Sequence, residues 1–194
     1  MASSLIHPTA IVDETCEIGD GTRIGPFTHI HPGARIGCES TIGQGVMVGP
    51  EVTVGDRCDI GNNVTLCRGS TLESDVYCGP SVAFARDLRP HAKAKLGRPA
   101  QPVIIHRGAK LGASTVIIGP CEIGEYAVIE SGSIVRVEVL PYALMRGDPA
   151  ERADWRCKCG RGLIEFHAGV SECIGCDRRY VKVGSRVSLE REEP

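Results

Sequence analysis

Four cysteines near the C-terminal end of the chain form two close pairs. Cys157 and Cys159 make a C-x-C pair, and Cys173 and Cys176 make a C-x-x-C pair after thirteen intervening residues. A glycine stands beside each pair, which suits a tight knuckle that presents sulfur to a metal ion. The spacing predicts a Cys₄ zinc ribbon over residues 151–186, followed by a tail at 187–194. Unliganded thiols or a vestigial ribbon are the alternatives.

The predicted role of this zinc is structural. A module of roughly thirty residues cannot bury enough apolar surface to fold alone, so metal binding would supply the missing stability. Basic side chains surround the cysteines, but Glu165, Glu172 and Asp177 lie among them. We therefore interpret this surface as solvated, with no nucleic-acid partner.

A second group of chemically capable residues lies in the segment SVAFARDLRPHAKAKLGRPAQP, residues 81–102. Its first half contains Arg86, Asp87, Arg89 and His91. A guanidinium is always charged and offers only hydrogen-bond donors, so it suits a carboxylate or a phosphate. An extruded substrate-binding loop is predicted within and just beyond this segment, at about residues 85–104.

On both sides of that segment an aliphatic residue returns every six positions. Counted from Ile18, the positions from 6 to 84 and from 105 to 135 are all apolar, twenty in all. A second column four residues later holds only small side chains. Glycine follows the large residue at positions 19, 25, 37, 43, 49, 55, 61, 112 and 124, where we expect a turn to need a permissive backbone.

A period of six predicts short strands joined by tight turns, three to a coil of about eighteen residues. The fold class is all-β, a parallel β-helix of six to seven coils, roughly 30 Å tall at the usual strand spacing. The cysteines at 16, 58, 78 and 121 fall in the inward columns and are interpreted as small buried side chains. A flat-sided prism has no cleft, so its site must use the loop or the groove between packed copies.

Composition narrows the function classes. The formal net charge of −2 and pI near 6.3 give no general electrostatic case for nucleic acid or anionic membranes. The first residues lack a basic leader and an apolar signal core, and no apolar run is long enough to span a membrane. We expect a cytoplasmic protein without membrane partners, whose cysteines are reduced or bind metal.

Two long segments resemble a known family. FTHIHPGARIGCESTIGQGVMVGPEVTVGDRCDIGNNVTLCRGSTLESDVYCGPSVAF and RGAKLGASTVIIGPCEIGEYAVIESGSIV, the latter followed by LPYALMRGDPAERADW, are similar to the hexapeptide-repeat acyltransferases. Within that family they resemble UDP-2-acetamido-3-amino-2,3-dideoxyglucuronate N-acetyltransferases and dTDP-3-amino-deoxysugar N-acetyltransferases. The resemblance covers about residues 5–155. It implies a left-handed β-helix over residues 1–150, a homotrimer, and acetyl-CoA in the groove between subunits.

The resemblance also implies a cofactor site. Gly112, Ala113, Ser131 and Gly132 would be backbone contacts for the pantetheine arm. The adenosine end of acetyl-CoA would lie near Arg146, Gly147, Pro149 and Ala150. Ordinary turn glycines of the repeat are the alternative for these positions.

On the acceptor side, relatives open the loop with a motif whose Asn is thought to hold the attacking amine of an amino sugar. Arg86 occupies that position here and cannot accept a hydrogen bond from an amine. Asp87 could attract the ammonium instead, and Arg89 and His91 would bind substrate.

Three further residues are candidates for the acceptor side. His29 is a candidate general base, if its pKa is near neutrality and it reaches the nucleophile. Asn62 and Asn63 are candidate substrate ligands, with a turn or an internal Asn ladder as the alternative.

Three functions follow in decreasing order of support. The first is a CoA-dependent N-acyltransferase, with acetyl as the acyl group, acting on a nucleotide-linked amino sugar. The second is a non-catalytic or substrate-altered trimeric relative, because of Arg86. The third is a γ-class carbonic anhydrase-like hydratase. It would need three histidines at a subunit interface, and only His91 and His106 resemble part of such a set.

Overall fold

The computed structural model describes residues 3–85, 103–163 and 165–190. Its strands are numbered in chain order, and most of them form three parallel sheets that are the faces of a prism. Face 1 contains β1 (Leu5–Ile6), β4 (Arg23–Ile24), β7 (Thr41–Ile42), β10 (Asp59–Ile60), β13 (Tyr77–Cys78), β16 (Lys110–Leu111), β19 (Val128–Ile129), β21 (Ala143–Arg146) and β22 (Glu151–Trp155).

The other two faces follow the same order of coils. Face 2 contains β2 (Ile11–Val12), β5 (His29–Ile30), β8 (Met47–Val48), β11 (Thr65–Leu66), β14 (Ala83–Ala85), β17 (Val116–Ile118) and β20 (Ile134–Val135). Face 3 contains β3 (Glu17–Ile18), β6 (Arg35–Ile36), β9 (Thr53–Val54), β12 (Thr71–Leu72), β15 (Val103–Ile105) and β18 (Cys121–Ile123). We call the turns between them corner 1–2, corner 2–3 and corner 3–1.

The pairing register gives the length of each coil. Leu5 pairs with Arg23, and Arg23 pairs with Thr41, so one coil takes three hexads, as the repeat predicts. Across the interrupted coil Tyr77 pairs with Lys110, a longer step, and the excess lies between β14 and β15. The all-β solenoid of about seven coils is confirmed. Its handedness stays a prediction.

The two predicted inward columns form the core. Along the large column the side chains from Ile24 to Val135 are buried, and the small column is buried from Thr22 to Ser133. Cys58, Cys78 and Cys121 are buried there as expected, and Cys16, in the first coil, is half-buried. Small polar members are tolerated because their hydroxyls bond the next coil: Thr22 Oγ1 donates to the Gly37 carbonyl at 2.6 Å.

The expected reason for the glycines after the large column is wrong. Gly19 and Gly55 do not have positive φ, but a Cβ on Gly55 would stand 2.6 Å from the Ser74 nitrogen of the next coil. These glycines are therefore required by close approach of the backbones. The left-handed conformation falls two residues later, at Gly21 and at Phe27, and is adopted there by many residues other than glycine.

The last coil closes differently. β21 still pairs in parallel with β19, but β22 turns back and pairs antiparallel with β21, with Ala143 opposite Trp155. β22 therefore belongs to face 1, inside the region assigned to the ribbon from the sequence.

Beyond β22 a small sheet is formed by β23 (Val170–Glu172), β24 (Arg179–Val183) and β25 (Arg186–Leu189), all antiparallel. The sequence LIEF, residues 163–166, resembles a short strand between the cysteine pairs, but Leu163, Glu165 and Phe166 belong to none of these strands. Glu165 and Ala168 both have positive φ, which is incompatible with a continuous extended strand there. The strand between the two cysteine pairs is β23 instead.

Within the described ranges, no helix is both long enough and apolar enough to cross a membrane.

Candidate functional site

The residues predicted to bind the pantetheine arm lie together on corner 1–2. Gly112 and Ala113 follow β16, and Ser131 and Gly132 lie on the next coil. The Gly132 N–H donates to the Ala113 carbonyl at 2.9 Å. A Cβ on Gly112 would collide with the Ser131 backbone, whereas one on Gly132 would meet nothing within 4 Å. Gly132 therefore leaves an open approach to the main chain.

The third layer of this corner comes from the segment after β21. The Gly147 N–H donates to Ser133 Oγ at 3.2 Å, and the Gly147 carbonyl accepts from the Ile134 N–H at 3.0 Å. The Ala150 N–H donates to the Ile134 carbonyl at 2.8 Å, after the cis peptide that precedes Pro149. All eight predicted cofactor residues thus occupy three successive layers, a stretch of roughly 10 Å at the usual strand spacing. We call these eight residues the ledge.

Arg146, a ledge residue, and Arg136 on the same coil as Ser133 are both paired with carboxylates. Arg146 donates to both Glu130 carboxylate oxygens, at 2.6 and 2.8 Å, and this bidentate contact lowers the pKa of Glu130 below its usual value. Arg136 contacts Asp148 at 3.2 Å. A phosphate approaching Arg146 must therefore compete with Glu130. Sequence reasoning missed Glu130, because its contact with Arg146 spans a coil of 16 residues and not the 18 of the repeat.

Asn62 and Asn63 lie on the same corner, two coils before Ala113. The Asn62 side-chain oxygen accepts from the Gln44 N–H at 3.0 Å, and Asn63 has φ of 58°. Asp56 makes the equivalent contact to the Cys38 N–H on corner 3–1. Both asparagines therefore have turn-forming contacts, and their role as substrate ligands stays a prediction.

The acceptor residues predicted in the loop, Arg86, Asp87, Arg89 and His91, lie outside the described residues. The strands that bound the loop are described: β14 runs to Ala85 and β15 begins at Val103, so strand extends into both ends of the expected loop. The flanking strands lie on faces 2 and 3, so the segment between them falls at corner 2–3. Face 2, which is one short strand wide, lies between that corner and corner 1–2, where the ledge is.

His29 does not lie at the base of this loop. It points outward from β5 on face 2, three strands from β14, which is about 14 Å at the usual spacing. Its ring stacks on His31 with 4.0 Å between centroids. Burial, and then the neighbouring His29, lower the pKa of His31 below its usual value. Among the described residues, His29 is therefore about 14 Å from the strand that precedes the expected loop.

The four ribbon cysteines do come together. Their sulfurs all lie within 4.8 Å of one another, with Cys157 3.4 Å from Cys176 and Cys159 3.6 Å from Cys173. Cys157 and Cys173 are buried, Cys176 is half-buried and Cys159 is exposed. In the described part of the chain this is the one group of side chains that could hold a metal ion.

Tyr180 is a part of this cluster that sequence reasoning missed. It is fully buried, and its hydroxyl lies 3.2 Å from the Cys157 sulfur and 2.9 Å from the Lys158 nitrogen. No spacing rule pointed to it, because it lies on β24, after the second cysteine pair.

The remaining buried thiols are not nucleophiles. Burial raises the pKa of Cys121 to about 11 and the pKa of Cys78 still further. Both stay protonated at neutral pH, and a protonated thiol is a poor nucleophile.

Comparison with known proteins agrees with the repeat. The family described as bacterial transferase hexapeptide (six repeats) matches residues 33–68 and 102–136. A curated relative, the dTDP-3-amino-3,6-dideoxy-alpha-D-galactopyranose 3-N-acetyltransferase of Aneurinibacillus thermoaerophilus, is 36% identical over 77 residues. That match spans 40% of this chain and only 39% of the relative.

Two solved structures share the fold. The polySia specific acetyltransferase NeuO has a TM-score of 0.52 at 18% identity, covering 86% of this chain and 79% of its own. The acetyltransferase domain of PglB from Neisseria gonorrhoeae FA1090 has a TM-score of 0.51 at 14% identity, covering 77% of this chain and 57% of its own. At these identities the likeness concerns the fold alone. The two segments that match this family lie in coils that the structure builds from three hexads each, so the match and the fold describe the same repeat.

Proposed function

We propose that the protein is a CoA-dependent N-acyltransferase that transfers an acetyl group from acetyl-CoA to the amino group of a nucleotide-linked amino sugar. The observation that carries the proposal is the ledge, where Gly112, Gly132 and Gly147 from three layers share one corner. The curated relative is named as an enzyme of this class, and the residues that match it make up 40% of this chain.

The ledge suits acetyl-CoA for physical reasons. The pantetheine arm carries amide groups, and a glycine-lined corner lets them approach main-chain N–H and carbonyl groups without obstruction by a Cβ. Beside Gly132 that space is open. Arg146 lies 61% exposed at the end of the ledge, where it could exchange Glu130 for a phosphate.

The reaction needs no covalent enzyme intermediate. The neutral sugar amine attacks the thioester carbonyl and forms the C–N bond, the C–S bond breaks, and the departing CoA thiolate finally takes the amine proton. Asp87 is proposed to attract the ammonium form, and Arg86 to bind a carboxylate or phosphate of the acceptor. Arg89, His91, Asn62 and Asn63 are proposed to contact the acceptor, and His29 stays a candidate base.

The other two functions are less well supported. The curated relative is an enzyme, which does not favour the non-catalytic alternative. The hydratase would need clustered histidines, yet His106 lies on corner 3–1 between Glu73 and Glu122. Among the described residues no histidine belongs to a group that could hold a metal ion.

The proposal includes a homotrimer and a structural Zn²⁺ at the four cysteines. Support for subunit contact comes from face 2, whose outward residues are nearly all apolar or small. They are Ile11, His29, Met47, Thr65, Ala83, Val116 and Ile134. Sedimentation of the full chain would give the assembly directly.

The activity is tested by incubating acetyl-CoA with a panel of UDP- and dTDP-linked amino sugars and measuring free CoA thiol. We expect release with at least one acceptor that carries a free amine and none with its N-acetylated form. If saturating acetyl-CoA releases no thiol with any acceptor, the proposed activity is wrong.

The ledge is tested separately by acetyl-CoA binding. Arg146→Ala should weaken binding about tenfold, because one charge-assisted contact to phosphate is lost. Arg35→Ala is the matched control, because Arg35 also faces a glutamate, Glu17, at 3.5 Å, but on face 3. Equal effects of the two substitutions would contradict the assignment of the ledge.

A further inference from the structure

The four sulfurs of the ribbon have the spacing of a tetrahedral thiolate site. With Zn–S bonds of about 2.3 Å, the sulfurs of a tetrahedron stand about 3.8 Å apart. Two of the sulfur pairs here are 3.4 and 3.6 Å apart, and none of the four cysteines is in a disulfide. A set of four thiolates favours Zn²⁺ or a single iron over hard cations such as Mg²⁺.

Two hydrogen-bond donors approach the Cys157 sulfur. The Lys158 N–H donates to the Tyr180 hydroxyl oxygen, so the single hydroxyl proton is free to point at the Cys157 sulfur. The Cys159 N–H approaches the same sulfur at 3.4 Å. A sulfur that accepts two hydrogen bonds is typical of a metal-bound thiolate with outer-shell donors.

Tyr180 also joins the metal cluster to the solenoid. Its ring meets the Tyr142 ring edge-on at 5.2 Å, and Tyr142 stacks on Tyr126 at 5.6 Å. Tyr126 and Tyr142 are on corner 3–1 of the last two coils. The Lys158 ammonium lies over the Tyr126 ring at 4.9 Å, so both the metal-ligand segment and β24 contact the same aromatic stack.

The same end of the solenoid carries the ledge. The Arg156 N–H donates to the Tyr142 carbonyl at 2.7 Å, immediately before the first cysteine. Tyr142 precedes β21, which ends at Arg146, and β22 covers the free edge of β21. A strand edge left open would be prone to fray or to pair with another chain. The ribbon is therefore fastened to the strand that holds the third layer of the ledge.

We propose that the C-terminal module is a Zn²⁺-dependent end cap, in which the Cys₄ site and the positioning residue Tyr180 hold β21, β22 and the ledge in place. The part that concerns acetyl-CoA rests on the proposed function. The part that concerns metal and the end of the solenoid does not.

Metal content and the single tryptophan test the cap independently of activity. Trp155 is the only tryptophan of the chain, is buried on β22, and lies two residues before Cys157. The purified full chain should contain one zinc per chain. Removing it with a chelator should shift Trp155 emission to longer wavelength and speed hydrogen exchange over residues 143–155 about tenfold, while exchange over residues 40–80 is unchanged.

Cys157→Ser should reproduce the chelator result, and the control Cys38→Ser, which alters an exposed cysteine outside the cluster, should not. If Cys157→Ser does not fold, chelation of the unaltered chain still decides the outcome. Iron in place of zinc, no metal at all, or metal loss without change at Trp155 and at residues 143–155 would each overturn the proposal.

Tyr180→Phe tests the positioning residue, because it keeps the ring and removes only the hydroxyl. We expect zinc affinity to fall about 10- to 100-fold, the range found for outer-shell partners, with the solenoid intact. Tyr77→Phe, at an exposed position of face 1, is the control. Unchanged zinc affinity in Tyr180→Phe would show that Tyr180 only packs.

Acetyl-CoA binding by the metal-free chain completes the test. Weaker binding than that of the zinc-loaded chain supports coupling to the ledge, and equal binding refutes that coupling. If neither form binds acetyl-CoA, the proposed function fails, while the metal and Trp155 measurements still decide whether the cap exists.

Discussion

The two ends of the solenoid follow the same repeat but differ in how their core is covered. In the first coil Ile6, the first hexad residue, is 40% exposed, because the described chain has no coil beyond it. In the last coils Ile129 and Val135 are fully buried, and β21 and β22 continue face 1 beyond β19. A hexad aliphatic residue therefore stabilises the fold most where the chain covers it on both sides.

Truncation of a core side chain should give the largest difference in unfolding free energy between the middle coils and the first coil. Ile60→Ala removes a fully buried side chain between two coils and should lower the free energy of unfolding by about 2–5 kcal/mol. Ile6→Ala, at the same repeat position in the first coil, should cost about 1 kcal/mol or less, because the side chain is already partly in water. Urea denaturation followed by circular dichroism measures both, and similar losses would contradict the comparison.

The close-approach glycines should show a smaller contrast of the same kind. Gly55→Ala places a Cβ 2.6 Å from the Ser74 nitrogen, with coils on both sides, and should cost about 1–3 kcal/mol. Gly19→Ala creates a contact of 2.5 Å with the Gly37 carbonyl carbon, but its coil is at the edge and can move away. A larger loss for Gly19→Ala in the same urea experiment would count against this reasoning.

The smallest contrast is electrostatic. Asp75 accepts from Arg57 at 2.7 Å and from Arg107 at 2.9 Å, on consecutive coils of corner 3–1. The Arg57 contact, more than the others, lowers the pKa of Asp75 in the folded chain. A lowered pKa means that the ion pairs stabilise the fold at neutral pH, and that this contribution disappears as pH falls below about 3.9 through the folded value.

Asp75→Asn should therefore cost at most about 1 kcal/mol at pH 7, since the pair is partly exposed, and little or nothing at pH 2. Thermal melting at the two pH values tests the sign. Glu17→Gln is the matched control in the first coil, where the 3.5 Å pair with Arg35 is well exposed and should contribute less. A cost for Asp75→Asn that grows on acidification would have the wrong sign.

Much of the fold could be predicted because the signal is local. The inward columns, the break after Phe84 and the two cysteine pairs repeat or cluster within short stretches of the chain. The reason for the glycines could not be predicted, because Gly55 is constrained by Ser74, which lies on the next coil. Likewise, Glu165 has positive φ within the strand-like segment LIEF, and the described strand between the cysteine pairs is β23.

The site divides in the same way. The resemblance pointed to eight ledge residues, and the structure places all eight on one corner. Glu130 was missed because its contact with Arg146 depends on a last coil that is shorter than three hexads, in which Val128 pairs with Leu144. Tyr180 was missed because its contact with Cys157 joins β24 to the first knuckle, two parts of the ribbon that are far apart in sequence.

The sequence by itself determined which side chains face inward. With a period of six, only one assignment of inward and outward positions buries the aliphatic residues. It also determined that four thiols would be available as a set. Only the tertiary structure decided which outward residues are neighbours. Neighbours along a corner are three hexads apart in sequence, and the interruption after β14 or the shortened last coil changes which of them meet. For that reason the ledge, the distance from His29 to β14, and the link from Cys157 through Tyr180 to Tyr142 required the folded chain.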